Sequence, residues 1–289
     1  MPRKRFWSRL TAALFLGTVL IVAIGYANAT AAPVVRRLNL QVSDYPADAR
    51  PVRIVLLSDV HVHAPDMQPS RVTKIVDQIN ALRPDIVVAA GDFTGNNWIG
   101  RDYLPAEAIA PLKGLQTRLG AYAVLGNNDY QAGAGDVARA LESAGVRVLR
   151  NDAVAVGPVA LGGIDGRIHH SLAAWAAARQ ATYDALEGTP GVQVLAAHRP
   201  DEFVPAPPSV RLVLAGHTHC GQIVIPFFGA LESGSDYGMR YLCGVHRDGS
   251  KLLVVTAGLG TSHVPLRFGA PPDLWLLTIE GAAAVPVRN

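Results

Sequence analysis

Cysteine is almost missing: two residues, Cys220 and Cys243, in a chain of 289. Neither C-x-x-C spacing nor a dense cysteine pattern is present, which argues against a thiolate metal cluster or a small disulfide scaffold. The pair reads as two unpaired buried thiols packing as small hydrophobes, with one bridge in an oxidising compartment as the alternative. Charge is also sparse, at 17% of residues. Residues 1–40 contain no acid and six bases: Arg3, Lys4, Arg5, Arg9, Arg36 and Arg37. Of 26 basic and 23 acidic residues in the whole chain, the other 249 positions therefore keep 20 and 23, a net of −3 against +3 overall. The basicity belongs to the N-terminus, and the body carries no basic footprint for nucleic acid. Internal repeats and low-complexity segments are lacking as well.

No charge lies between Arg9 and Arg36. Residues 10–26, LTAALFLGTVLIVAIGY, are long enough to cross a bilayer. The bases ahead of them and the small-residue exit ANATAA also fit a cleavable signal peptide. The run is long for an h-region of ~7–15 residues, which favours an uncleaved anchor. More positive charge precedes the span than follows it, so the N-terminus is expected in the cytoplasm and the domain outside. Residues 1–30 thus read as signal anchor or signal peptide, and the Pro-containing stretch 31–51 as a linker. Residues 52–287 read as one domain, for which 49% hydrophobic content supplies an ample core.

That domain opens with the apolar run RIVLLSD (53–59), too short for a helix and typical of a strand buried on both faces. Val72, Ile75, Val76, Ile79 and Leu82 recur at helical spacing, and Pro84 stops the helix. The strands DIVVAAGD (85–92) and AYAVLGN (121–127) flank a helix over 105–116. A helix over 136–144 follows, with Asp136 as its cap. Then come VAVGPVALGGI, an Ala-rich helix over 171–186, VQVLAAH (192–198), VRLVLAGH (210–217) and the β-like runs QIVIPF, KLLVVTAG and DLWLLTI. Alternating strands and helices with a strand-rich end predict an α/β layered sandwich with two mixed sheets.

Five apolar strands each end in a residue that can bind metal: Asp59 and His61, Asp92, Asn127, His198, and His217 with His219. The carboxyl ends of strands line the ligand crevice of α/β sheets, so these side chains are expected to converge. Taken singly each has a plain structural reading, as a helix cap or a satisfied buried imidazole. Jointly they place several costly polar groups at one edge, and a divalent cation offsets that cost. Oxygen and nitrogen donors without thiolate suit Mn²⁺, Fe or Zn²⁺. Seven groups suit two ions sharing a carboxylate.

The motifs DVH (59–61), GD (91–92), GNND (126–129), the single His198 in AHRPD and GHTH (216–219), in that order, resemble those of calcineurin-like metallophosphoesterases. GHTHCGQIVIPFFG and GLGTSHVPLRFGAPPDLWLLTI narrow the resemblance to a bacterial membrane-associated branch that includes UDP-2,3-diacylglucosamine pyrophosphatases. The resemblance implies Asp59, His61 and His219 on one metal and Asn127, His198 and His217 on a second, with Asp92 bridging. It also implies a water between the ions that becomes the nucleophile; the anchor's charge bias, with the bacterial resemblance, gives a domain expected on the periplasmic side of the inner membrane, the cytoplasmic face being the alternative. The expected substrate is a phosphodiester or pyrophosphate, lipid-linked in the manner of UDP-2,3-diacylglucosamine. The alternatives are a broad envelope phosphatase and a non-catalytic metal- or phosphate-binding module. The chain departs from the family at Asn128, where a histidine is common: an amide donates a hydrogen bond but cannot act as a general acid. His63, His263 and Arg267 are the candidates for a replacement acid or phosphate clamp.

Overall fold

The computed structural model describes residues 2–95, 97–166 and 172–282. The expected domain end at Val287 and helix start at Ser171 lie outside them. Two six-stranded sheets stack face to face. One runs in spatial order Val34–Val42, Asp273–Gly281, Val52–Leu57, Ile86–Ala90, Gly120–Val124, Val146–Val148. The other runs Gly244–Asp248, Lys251–Val255, Leu212–Ala215, Val192–Ala197, Val159–Ile164, Asp152–Val156. Both are mixed, with central neighbours parallel and antiparallel pairs at Asp273–Gly281/Val52–Leu57 and at both edges of the second sheet.

The uninterrupted apolar runs follow from this layering. Successive residues of a strand point to opposite faces, and both faces of each sheet are covered. Ile54 and Leu56 enter the inter-sheet core with Val88, Ala90, Val194, Leu212 and Leu214. Their neighbours Val55 and Leu57 pack instead beneath the helices Pro69–Ala81 and Ala134–Ser143, through Val72, Ile75, Ile79, Val137 and Leu141. On the far side, Leu195, Val213 and Leu253 pack with Leu186 of the helix Leu172–Glu187. The result is helices, sheet, sheet, helices.

Several expectations need correction. The stretch 31–51 is not only a linker: Val34–Val42 is a strand pairing in parallel along the whole of Asp273–Gly281. Its burial is one-sided and two arginines interrupt it, so periodicity alone does not reveal it. VAVGPVALGGI is a hairpin rather than one strand, turned at Gly157, whose φ of 57° suits glycine. The helix expected over 105–116 is a short α-helix, Pro105–Ile109, continued as a 3₁₀ turn, Ala110–Gly114. Gly133, not Asp136, occupies the N-cap of Ala134–Ser143, with Asp136 inside the first turn. QIVIPF keeps only Val224–Ile225 as strand, paired with Gly229–Ala230.

Cys220 and Cys243 are also not free thiols but a disulfide, their Cα atoms 4.7 Å apart, within the range a bridge spans. Tertiary folding brings residues 23 positions apart together, which spacing in the chain did not announce. Closing a loop of this size contributes about 3 kcal/mol. Replacing both cysteines by serine is therefore expected to lower the unfolding free energy by about that amount, read from denaturant unfolding with the slope, which a less constrained unfolded chain steepens, fitted for each protein.

Candidate metal centre

All the metal-ligand candidates lie just past the carboxyl ends of parallel strands, three strands from one sheet and two from the other. The turns there are tight. Asp59, His61, Asp92, His217 and His219 all have positive φ, between 44° and 71°. Non-glycine residues adopt that region in only a few per cent of cases. Five such residues at one site mark backbone strain held by the fold to aim side chains inward. The motif glycines have a related cause. A Cβ on Gly126 would run into the Asp92 carboxylate, and one on Gly216 into Ser58 and Asp59.

Two clusters result, Asp59–His61–His219 and Asp92–His198–His217, the donor atoms within each lying inside 4.8 Å of one another. In the first, His61 Nε2 and His219 Nε2 approach to 3.1 Å, and Asp59 Oδ1 lies 3.8 and 3.6 Å from them. In the second, His198 Nε2 faces His217 Nδ1 at 3.0 Å and Asn127 Oδ1 at 3.1 Å. Asp92 Oδ2 is 3.6 Å from His61 Nε2 and 3.4 Å from His198 Nε2, touching both clusters.

The far nitrogens fix the tautomers. His61 Nδ1 must donate to Thr94 O at 3.1 Å, and His198 Nδ1 to Ala90 O at 2.7 Å. A neutral ring so oriented points an Nε2 lone pair into its cluster, the usual outer support of a metal-bound histidine. Donor atoms about 2.0–2.2 Å from a common ion sit roughly 3 Å apart, as the paired imidazoles do here. Asp59 Oδ1 is buried with no hydrogen-bond partner, a costly state that a cation relieves. The residues fit two divalent ions.

The electrostatics agree. Burial pushes the Asp59 carboxyl up, but His219, His61 and His198 outweigh it and hold it well below the usual carboxylate range. Asp92 is held low in the same way, chiefly by His198 against burial. Burial would lower His198, yet Asp92 lifts it to about 9; His61 is raised against burial by Asp59 and Asp92. Burial and the neighbouring His198 take His217 down to about 4, and burial takes His219 far below its ordinary value. At neutral pH His198 therefore favours its protonated form and His217 its neutral form, and a bound metal ion would displace that proton.

Asp129 is the support under the centre. Fully buried, it accepts the backbone N–H groups of Asp92 and Gly126 on Oδ2, each at 2.9 Å, and of Phe93 on Oδ1 at 2.8 Å. One carboxylate thereby ties the turn carrying Asp92 to the turn carrying Asn127. GNND, a turn by its composition, is the five-residue helix Asn127–Gln131 capped at Gly126. Asn128 is spent on Asp92: its backbone N–H donates to Oδ1 at 2.8 Å and its Nδ2 to Oδ2 at 2.6 Å.

The centre floors a cleft of about 570 Å³ lined by Asp92, Asn127, Asn128, His217 and His219, with Trp98, Leu231 and His263 on its walls. His263 is in the cleft as expected, packed edge-on against Trp98 at 5.1 Å. Arg267 is not. Its guanidinium is fully buried and donates to the carbonyls of Ala257, Gly260 and Ala270, so it braces the loop behind His219 rather than reaching substrate. His63 also lies outside the cleft wall, buried with Nε2 3.4 Å from Asp102. Sequence reading passed over the carbonyls of Ala90 and Thr94, because a backbone acceptor leaves no mark in residue identity.

Asp59→Asn is expected to cost about one equivalent of bound divalent metal, measured by inductively coupled plasma mass spectrometry after dialysis. Asp129→Ala removes the acceptor of four buried N–H groups, those of Asp92, Phe93, Thr94 and Gly126, and is expected to destabilise the fold by on the order of 2–4 kcal/mol, measured by denaturant unfolding.

Comparisons with known proteins bear on this geometry. A family model described as calcineurin-like phosphoesterase matches residues 52–221. The chain is 30% identical over 298 residues to a Danio rerio protein named "Transmembrane protein with metallophosphoesterase domain", covering 95% of this chain and 63% of that one. It therefore spans less than two thirds of that relative. A metallophosphoesterase of Aquifex aeolicus is 32% identical over 238 residues, with 80% of this chain and 85% of that protein covered. A solved structure, the Pseudomonas putida nuclease MPE, aligns over 80% of each chain at 17% identity with a TM-score of 0.36. With the family model covering more than half of the residues, the chain belongs to the calcineurin-like phosphoesterase family, a family of metal-dependent phosphoester hydrolases.

Proposed function

We propose that this protein is a membrane-anchored, two-metal hydrolase of phosphodiester or pyrophosphate bonds in amphiphilic substrates. The observation that carries the reading is Asp92, whose Oδ2 stands between two imidazole-containing clusters on the floor of an open cleft. Asp59, His61 and His219 would hold one ion and Asn127, His198 and His217 the other, with Asp92 shared. When bound, such ions polarise phosphoryl oxygens and activate water at neutral pH.

The protein's own residues orient and select. Asn128 holds the Asp92 carboxylate through two hydrogen bonds. Its amide cannot act as a general acid toward a departing oxygen. This favours leaving groups that are stable as anions, such as phosphates, over alkoxides.

The helix Arg5–Ala29 is long and apolar enough to cross a membrane, and only 6% of its most apolar stretch is buried in the protein, which supports the anchor. The Cys220–Cys243 disulfide favours an oxidising compartment for the domain, in line with the charge bias around the span. A nucleotide-linked lipid precursor such as UDP-2,3-diacylglucosamine is cytosolic and sits poorly with that side; a lipid-linked phosphodiester or pyrophosphate of the outer face fits it.

The test is hydrolysis of bis-p-nitrophenyl phosphate by the full chain in detergent, with Mn²⁺ and after chelation, beside UDP-2,3-diacylglucosamine. Metal-dependent release that Asp92→Asn abolishes is expected. Release that survives chelation, or that Asp92→Asn leaves intact, would sink the two-metal reading. Asn128→His is expected to raise turnover of alkyl phosphomonoesters by ~10²-fold or more while barely changing p-nitrophenyl esters.

A further inference from the structure

The hairpin Val224–Ile225/Gly229–Ala230 turns through Pro226, Phe227 and Phe228, and its tip is bare: Phe227 is 106% and Phe228 87% exposed. Residues 222–231, QIVIPFFGAL, contain no charge. Ile223 and Leu231, which flank this hairpin, line the cleft, and so does Trp98; Leu231 is 66% exposed, Trp98 76% and its neighbour Ile99 64%. Large apolar groups gathered around one opening mark an interaction surface.

One short loop, residues 263–268, ties these features to the N-terminal helix. Trp98 N–H donates to His263 O at 2.9 Å. Val224 N–H donates to Phe268 O, and Phe268 N–H to Gln222 O, each at 2.9 Å. From the same loop, Arg267 N–H donates to Gly25 O at 3.0 Å, and Asn28 Nδ2 donates to Arg267 O at 3.2 Å. The helix from Arg5 to Gly25 is roughly 30 Å long at 1.5 Å per residue, matching the hydrocarbon thickness of a bilayer. With Arg5 at one surface, Gly25 lies at the other, and the loop bonded to it lies at headgroup depth.

We infer that the rim of the cleft is a membrane-docking surface. Phe227 and Phe228 insert into the interface of the bilayer the helix spans, and Trp98 and Ile99 meet the same surface. Aromatic side chains favour that depth, and an uncharged, apolar tip meets acyl chains without stranding a charge. The cleft then opens along the bilayer surface, where the phosphate of a lipid headgroup enters without the acyl chains leaving the membrane. The inference rests on reading the helix as a membrane span.

The test places single nitroxide labels on the full chain in phosphatidylcholine–phosphatidylglycerol vesicles and compares collision with oxygen and with an aqueous nickel chelate. The native cysteines are paired, so Leu16→Cys, Phe227→Cys, Phe228→Cys and Glu187→Cys each offer one free thiol. Glu187 is exposed at the end of the helix Leu172–Glu187, near the amino end of the strand Val192–Ala197 and so away from the cleft. The expected result is a strongly oxygen-favoured label at position 16, a shallower but oxygen-favoured label at 227 and 228, and a nickel-favoured label at 187. A label at 16 in the bilayer with labels at 227 and 228 as aqueous as that at 187 would overturn the docking surface and leave the anchor standing. An aqueous label at 16 would overturn both.

Discussion

Everything at the centre of this protein depends on donor atoms forced close together on the largely buried floor of a cleft. His61 and His219 bring nitrogens to 3.1 Å, His198 and His217 to 3.0 Å, and buried carboxylates stand beside both pairs. Two lone pairs at that distance repel unless a proton or a metal ion lies between them. A proton answers part of the demand, as the upward displacement of His198 to about 9 indicates. It leaves Asp59 Oδ1 without a partner. A divalent cation answers the whole demand, which is why the arrangement reads as a metal centre rather than a set of satisfied core histidines.

The fold maintains this arrangement by spending backbone freedom. Positive φ at five candidate ligands is unfavourable for each, and strands buried on both faces supply the rigidity that keeps those turns from relaxing. Asp129 then locks two of the turns together through four main-chain N–H groups. On the other sheet, the Cys220–Cys243 bridge and the bond from Thr218 Oγ1 to Leu242 O, at 2.7 Å, clamp the segment bearing His217 and His219. Arg267 braces that segment from below, with Nη2 3.3 Å from His219 Nδ1. Burial lowers its pKa only to about 10, so it stays cationic among carbonyl oxygens that accept its N–H groups.

The same loop that Arg267 occupies joins the catalytic region to the membrane-length helix. Its carbonyls and amides receive Trp98, the Phe227–Phe228 hairpin and Gly25 within six residues. The position of the cleft relative to the helix is therefore built from main-chain hydrogen bonds rather than left to a flexible tether. With the helix in a bilayer, as proposed above, these bonds would hold the cleft at one height and one orientation.

The sequence by itself determined the candidate ligands and the strands that carry them. Runs such as RIVLLSD and RLVLAGH announce a strand buried on both faces, and a polar residue straight after such a run has few places to go but the crevice. It also determined the apolar helix and the absence of a leaving-group acid at Asn128. Only the tertiary structure decided what depended on contacts distant in the chain. Val34–Val42 became a strand because Asp273–Gly281 lies beside it. The cysteines paired because two loops meet. Arg267, a phosphate clamp by residue type, became a brace because three carbonyls 3 to 10 positions away surround it. Residue identity specifies what a side chain can bind, whereas burial and neighbours decide which of those options is used.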